Sequence, residues 1–148
     1  KVLAGKYTAD VYSYWDEGAC SYEGHVLEIA FDLDAKKMTI NNIDPWAYPQ
    51  GVPTSLTGDV DLEARTVTFV SETGYFDTGL SGYGFITYAL DPAALNEGSL
   101  VPVAEMTFKF SEDGQQISAP LYCTYSIQEG NSGTVDIYLP QIYSAVSE

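Results

Sequence analysis

Apolar and polar residues alternate along most of this chain with the two-residue period of a strand that buries one face. From Gly5 to Trp15, the residues Tyr7, Ala9, Val11, Ser13 and Trp15 fall on one side and Lys6, Thr8, Asp10, Tyr12 and Tyr14 on the other, which predicts a long first strand. The polar, glycine-containing run Asp16 to Ser21 ends it. A second strand is expected over about His25 to Asp34, with Leu27, Ile29, Phe31 and Leu33 inward, and a third from Met38 to about Ile43.

The hairpin joining those two strands is written twice. Phe31-Asp32-Leu33-Asp34-Ala35-Lys36-Lys37-Met38-Thr39-Ile40 returns as Val60-Asp61-Leu62-Glu63-Ala64-Arg65-Thr66-Val67-Thr68-Phe69. In each copy the alternation breaks at an alanine followed by a cation and then resumes, the pattern of two antiparallel strands around a tight turn. The second copy predicts strands over Gly58 to Leu62 and Thr66 to Ser71. All eight apolar residues of the two copies, Leu33 and Leu62 included, are expected in the core, because a one-residue slip would put each in water.

Between the copies, Asp44 to Leu56 holds three prolines and Gly51, which forbids regular pairing and predicts a loop. A second irregular stretch, Glu72 to Gly84, mixes four glycines with Tyr75, Phe76 and Tyr83. Further strands are expected at Phe85 to Leu90, at Val103 to Phe110 and Gln116 to Ile127 around the Asp113-Gly114 turn, and at Thr134 to Leu139, stopped by Pro140. Asp91-Pro92 starts a single helical turn, aspartate as N-cap and proline at the first helical position. The sum is an all-β chain: an antiparallel meander of eight to nine strands with one short helical turn, closing as a barrel or folding into a two-sheet β-sandwich to hide its edges. At 148 residues it is expected to form a single domain over 1–148.

Composition narrows the partners. Six basic against 21 acidic residues give a net charge of −15, which repels phosphate backbones, so nucleic acid is not expected. The acids fall mostly on outward strand positions and in turns, where they serve solubility. No apolar run is long enough for a transmembrane helix. The chain opens on Lys1 without a recognisable export signal, so the expectation is a trimmed sequence whose signal or lipid-anchor cysteine would lie upstream. Cys20 and Cys123 match no zinc or redox spacing, leaving a disulfide across a long loop or two free thiols. Cys123 shares a strand face with Leu121, Tyr125 and Ile127, which suits a buried thiol equally well.

The residue set argues against catalysis. His25 is the single histidine, placed as a surface or rim residue after Glu23-Gly24, and Gly-x-Ser-x-Gly is absent. Asp32/Asp34 and Asp59/Asp61/Glu63 have strand spacing on a polar face, the pattern of a solvated surface rather than of a glycosidase pair or a calcium loop. Neither a metal nor a cofactor is expected, and no catalytic residue is assigned. The aromatic loops are the candidate site. Trp46 and Tyr48 on the proline-stiffened loop, with Tyr75, Phe76 and Tyr83 on the glycine-rich one, suit stacking on a sugar face or anchoring a protein. The competing reading is that these rings plug the ends of a barrel.

The Gly5-Lys6-Tyr7 opening, the duplicated hairpin, and Met38-Thr39-Ile40-Asn41-Asn42-Ile43 before an aromatic, glycine-containing loop resemble lipocalin-like, calycin-type domains of exported Bacteroidetes lipoproteins. That resemblance implies an antiparallel barrel and an extracytoplasmic location at the bacterial cell envelope; it carries over no functional residue. The expected function is non-catalytic binding of an oligosaccharide, a small apolar molecule or an envelope protein through the loop end. A spacer module of a larger surface lipoprotein is the alternative, and a carboxylate-dependent glycoside hydrolase ranks last.

Overall fold

A computed structural model describes residues 4–16, 18–70, 75–77, 82–128 and 130–146. Its strands are β1 (Gly5–Tyr12), β2 (Cys20–Asp32), β3 (Lys37–Asn41), β4 (Ser55–Asp61), β5 (Thr66–Val70), β6 (Tyr75–Asp77), β7 (Tyr83–Ala89), β8 (Glu105–Phe110), β9 (Gln116–Ala119), β10 (Tyr122–Gln128), β11 (Gly133–Tyr138) and β12 (Gln141–Ala145). One helical turn, α1 (Pro92–Asn96), follows β7, with the Asp91 side chain accepting from the Ala93 amide as its N-cap.

Eight strands close a barrel in the order β1-β12-β9-β8-β5-β4-β3-β2, every neighbouring pair antiparallel. The chain runs up and down around it and leaves it twice, between β5 and β8 and between β9 and β12. The two excursions meet through β7 and β10 and form a second sheet, β11-β10-β7-β6. Full closure removes the unpaired edges that an open meander would expose.

The barrel ends differ. At one, tight hairpins join β2 to β3, β4 to β5 and β8 to β9. The duplicated sequence builds duplicated geometry there. Asp32 Oδ1 accepts from the Ala35 amide at 3.1 Å and Asp61 Oδ1 from the Ala64 amide at 3.0 Å. The cation after each alanine is left-handed, Lys36 at φ 54° and Arg65 at φ 59°, and its carbonyl accepts from the next strand, Val60 N to Lys36 O and Phe110 N to Arg65 O, both 2.9 Å. A turn of this kind ends each strand at its aspartate, so Leu33 and Leu62 stand on the turn, 61% and 42% exposed, and not in the core as expected. Phe31 is half-buried, while Met38, Ile40, Val60, Val67 and Phe69 are buried as the pattern requires.

The opposite, loop end carries residues 42–54, a 3-10 turn at Tyr14–Asp16 and the second sheet. One face of that sheet continues the barrel core: Phe76, Phe85, Ala89, Tyr122 and Tyr138 join the same apolar cluster as Leu27, Ile29, Phe69 and Phe108. Its other face packs Tyr88, Leu121, Cys123 and Ile137 against Leu90 and Leu95, so the short helical turn covers a second, smaller core.

Three expectations change. The strand predicted over Gln116 to Ile127 is two strands in two sheets, parted at Pro120, which has no amide to donate to a ladder. Pro140 does not end the last strand of the fold: β12 follows it and closes the barrel against β1 and β9. The first strand stops at Tyr12, so Trp15 leaves the inward face for the 3-10 turn and is 49% exposed.

Candidate functional site

The loop end is organised around one buried carboxylate. Asp44 has no exposed surface and lies just beyond the end of β3. Its Oδ1 accepts from the Trp46 amide (3.0 Å), the Ala47 amide (3.2 Å) and the Tyr138 hydroxyl (3.0 Å), while Oδ2 accepts from Thr124 Oγ1 (2.6 Å) and Thr87 Oγ1 (3.2 Å). Five donors satisfy a charge that would otherwise be costly to bury. Burial pushes the carboxyl above its ordinary range, and the donors pull it back. Because the donors come from the loop, β7, β10 and β11, Asp44 ties the loop to three strands of the second sheet.

The loop itself is stiff. Gln50 N donates to Ala47 O, Gly51 N to Tyr48 O and Val52 N to Ala47 O. Gly51 takes a left-handed φ of 76°, a conformation that glycine adopts without steric cost. Gln50 Nε2 reaches back to the Trp46 carbonyl at 2.9 Å. Trp46 is half-buried with its ring edge-on to Phe85, centroids 5.2 Å apart, whereas Tyr48 is 38% exposed. The loop therefore divides its two rings, one packing inward and one facing water.

His25 lies beneath Tyr48, and the structure corrects its assignment as a surface or rim residue. It is 2% exposed, edge-on to Tyr48 (5.2 Å) and Tyr143 (5.6 Å). Its Nε2 donates to the Asn42 carbonyl at 2.7 Å, which fixes the tautomer: Nδ1 accepts from the Tyr143 hydroxyl, also at 2.7 Å. Burial lowers its pKa to about 4, so it is neutral at pH 7. Tyr122 donates to the Ile43 carbonyl at 2.7 Å, so three consecutive loop-root residues, Asn42, Ile43 and Asp44, are each held by a buried side chain.

A second anchor connects this network to the 3-10 turn. Asp136 on β11 accepts from Ser13 Oγ and from the Tyr22 hydroxyl, and Trp15 N donates to Ser13 Oγ at 3.1 Å. The Tyr22 ring lies edge-on to Tyr138, whose hydroxyl serves Asp44. The turn bearing Tyr14 and Trp15 and the loop bearing Trp46 and Tyr48 thus share the Asp136–Tyr138 stretch of β11 as a common support.

Of the residues singled out from sequence, Trp46 and Tyr48 fall on this site. Phe76 is buried, its ring 5.4 Å from Phe85, and Tyr83 is half-buried on β7. Tyr75 pairs with Ile86 through its backbone; its side chain lies outside the described residues. The structure does not join Cys20 to Cys123 by a disulfide: the first is exposed at the start of β2 and the second is buried in the smaller core. Sequence reading missed Asp44, Tyr138 and Tyr143. The available signal was an aspartate before proline in a chain with few cations to pair it. Among the described residues no group of His, Cys, Asp and Glu is placed to hold a metal ion. Comparison with protein-family models, with curated proteins and with solved structures finds no match.

Proposed function

We propose that this chain is a non-catalytic binding module whose loop end holds a glycan or an envelope protein. One observation carries the reading: Tyr14, Trp15 and Tyr48 project 39%, 49% and 38% exposed from short elements tied to a common strand by buried and half-buried hydrogen bonds. Rings held this way lose little freedom on binding, which favours recognition. A small apolar ligand in the lumen fits less well. Leu27, Ile40, Val67, Met106 and Phe108 have no accessible surface, so no water-sized space lies against them.

The extracytoplasmic, cell-envelope location, with a lipid anchor upstream, belongs to the same proposal. Its support is the lipocalin-like pattern together with an eight-stranded antiparallel barrel in meander order. The spacer reading draws on Leu33 and Leu62, both exposed on turns at the hairpin end, where a neighbouring domain would cover them.

Amide chemical-shift mapping with a panel of neutral oligosaccharides and short peptides tests the assignment. Shifts centred on residues 13–16, 42–54 and 133–138 support it. Shifts centred on residues 33–36 and 62–65 overturn it in favour of the spacer surface.

A further inference from the structure

The fold sorts charge as the sequence does not reveal. Lysine and arginine occur at six positions only, 1, 6, 36, 37, 65 and 109. All five described cations lie at the hairpin end: Lys6 one residue into β1, Lys36 and Lys37 in the β2–β3 hairpin, Arg65 in the β4–β5 hairpin and Lys109 one residue from the end of β8. Strand alternation alone would scatter them; antiparallel closure gathers them, because each sits in a hairpin or near a strand end on the same side of the barrel. The described residues of the loop end and of the second sheet carry no lysine or arginine.

The exposed rings stand in that cation-free region among acids. Asp10 Oδ1 accepts from Gly24 N at 2.8 Å, which brings Glu23 beside it; Asp16 accepts from Ser21 Oγ; and Asp136 accepts from Ser13 and Tyr22. Tyr14 and Trp15 lie on the turn between these anchors. The surface combines aromatic faces, which attract cations through their quadrupole, with carboxylates that lie at the opposite end of the barrel from every described lysine and arginine.

We infer that the Tyr14–Trp15 face docks a lysine- or arginine-rich segment of a partner protein. This deepens the proposed binding role and rests on it. Charge complementarity selects the occupant: a segregated negative end steers cationic partners from beyond contact distance, and the exposed rings then hold them at short range. A second copy of this chain is a poorer fit, because its cation-bearing hairpin end also carries Asp32, Asp34, Asp61, Glu63, Glu112 and Asp113 and presents no net positive surface.

The test uses the full chain, a short oligolysine peptide and a neutral oligosaccharide, each titrated by amide chemical shifts. The inference expects oligolysine to shift residues 10–16 and 21–24, with affinity falling about tenfold as ionic strength rises from about 0.01 to 0.15 M and the Debye length shrinks. Trp15→Ala should weaken binding about two- to fivefold, the scale of an exposed cation–π contact, and Glu23→Lys should weaken it further. Asp34→Lys, with the same change in net charge at the hairpin end, should leave the affinity within about twofold. Equal weakening by Asp34→Lys and Glu23→Lys would reduce the effect to net charge and overturn the inference. If the neutral oligosaccharide shifts the loop end while oligolysine does not, this inference fails and the binding role stands; if neither shifts it, both fail.

Discussion

The Tyr143 hydroxyl donates to Nδ1 of His25 across the inside of the barrel, 2.7 Å from β12 to β2, and leaves the imidazole neutral with its other nitrogen donating to the Asn42 carbonyl. A histidine in this position can accept no second proton without reversing the Tyr143 bond and placing a charge in a buried site. The root of the aromatic loop is therefore coupled to the protonation of one residue.

This coupling gives stability a pH dependence with a definite sign. The native pKa of His25, about 4, lies below the ordinary 6.5, so between those values the unfolded chain holds more protons than the folded one and stability falls as pH drops. The loss across the window should be roughly 3 kcal/mol. Asp44 acts oppositely, since its raised carboxyl makes the folded state the better proton binder above the ordinary value of 3.8. Urea melts from pH 7 to 4 on the wild type and on His25→Gln separate the two: the variant should lose the His25 component, and an unchanged difference between pH 7 and 4 would contradict this assignment.

Gly58 lies on the inward face of β4 between Leu56 and Val60. A Cβ there would stand 2.3 Å from the Thr68 carbonyl oxygen and 2.8 Å from Phe69 Cδ1. The carbonyl belongs to backbone and cannot swing away, so Gly58→Ala should destabilise by about 2–3 kcal/mol or leave the chain unfolded. A thermal melt unchanged from wild type would refute the strand approach described here.

The two left-handed cations make the reverse prediction. Lys36→Gly and Arg65→Gly each remove a steric penalty of about 1–2 kcal/mol and add backbone entropy to the unfolded chain, for a net gain of up to about 1 kcal/mol. Denaturant midpoints should rise for both. Matching gains would reflect the matching turns; a loss at either position would mean that its side chain contributes more than its backbone strain.

Trp46 and Tyr48 should separate structure from recognition. Trp46→Ala removes the ring packed on Phe85 and should cost roughly 2–4 kcal/mol, while Tyr48→Ala should cost no more than about 1 kcal/mol. Equal thermal stabilities for the two variants would place Trp46 on the surface instead.

The duplicated leucines and the core below them allow a similar contrast. Phe69→Ala, at a residue 2% exposed with its ring edge-on to Phe108 at 5.8 Å, should cost about 3–5 kcal/mol. Leu33→Ala, on the exposed turn, should stay within about 0.5 kcal/mol in the same melts.

The sequence by itself determined the strand class, the antiparallel order, the inward faces of β2 to β5, the helical turn capped by Asp91 and the duplicated hairpin. These follow from two-residue periodicity and local turn chemistry, which act over a few residues and can be read in one dimension. It did not determine that Leu33 and Leu62 leave the core, because the pleat continues in sequence until a left-handed residue ends it. Nor did it show that Gln116 to Ile127 serves two sheets, that β12 closes the barrel, or that His25 is interior. Those outcomes depend on which strands pair at long range. Closure alone brings Tyr143 to His25, assembles five donors from three strands and a loop around Asp44, and collects scattered lysines and an arginine at one end. A carboxylate's partners, and the sign of a surface, are fixed by neighbours that only the tertiary structure supplies.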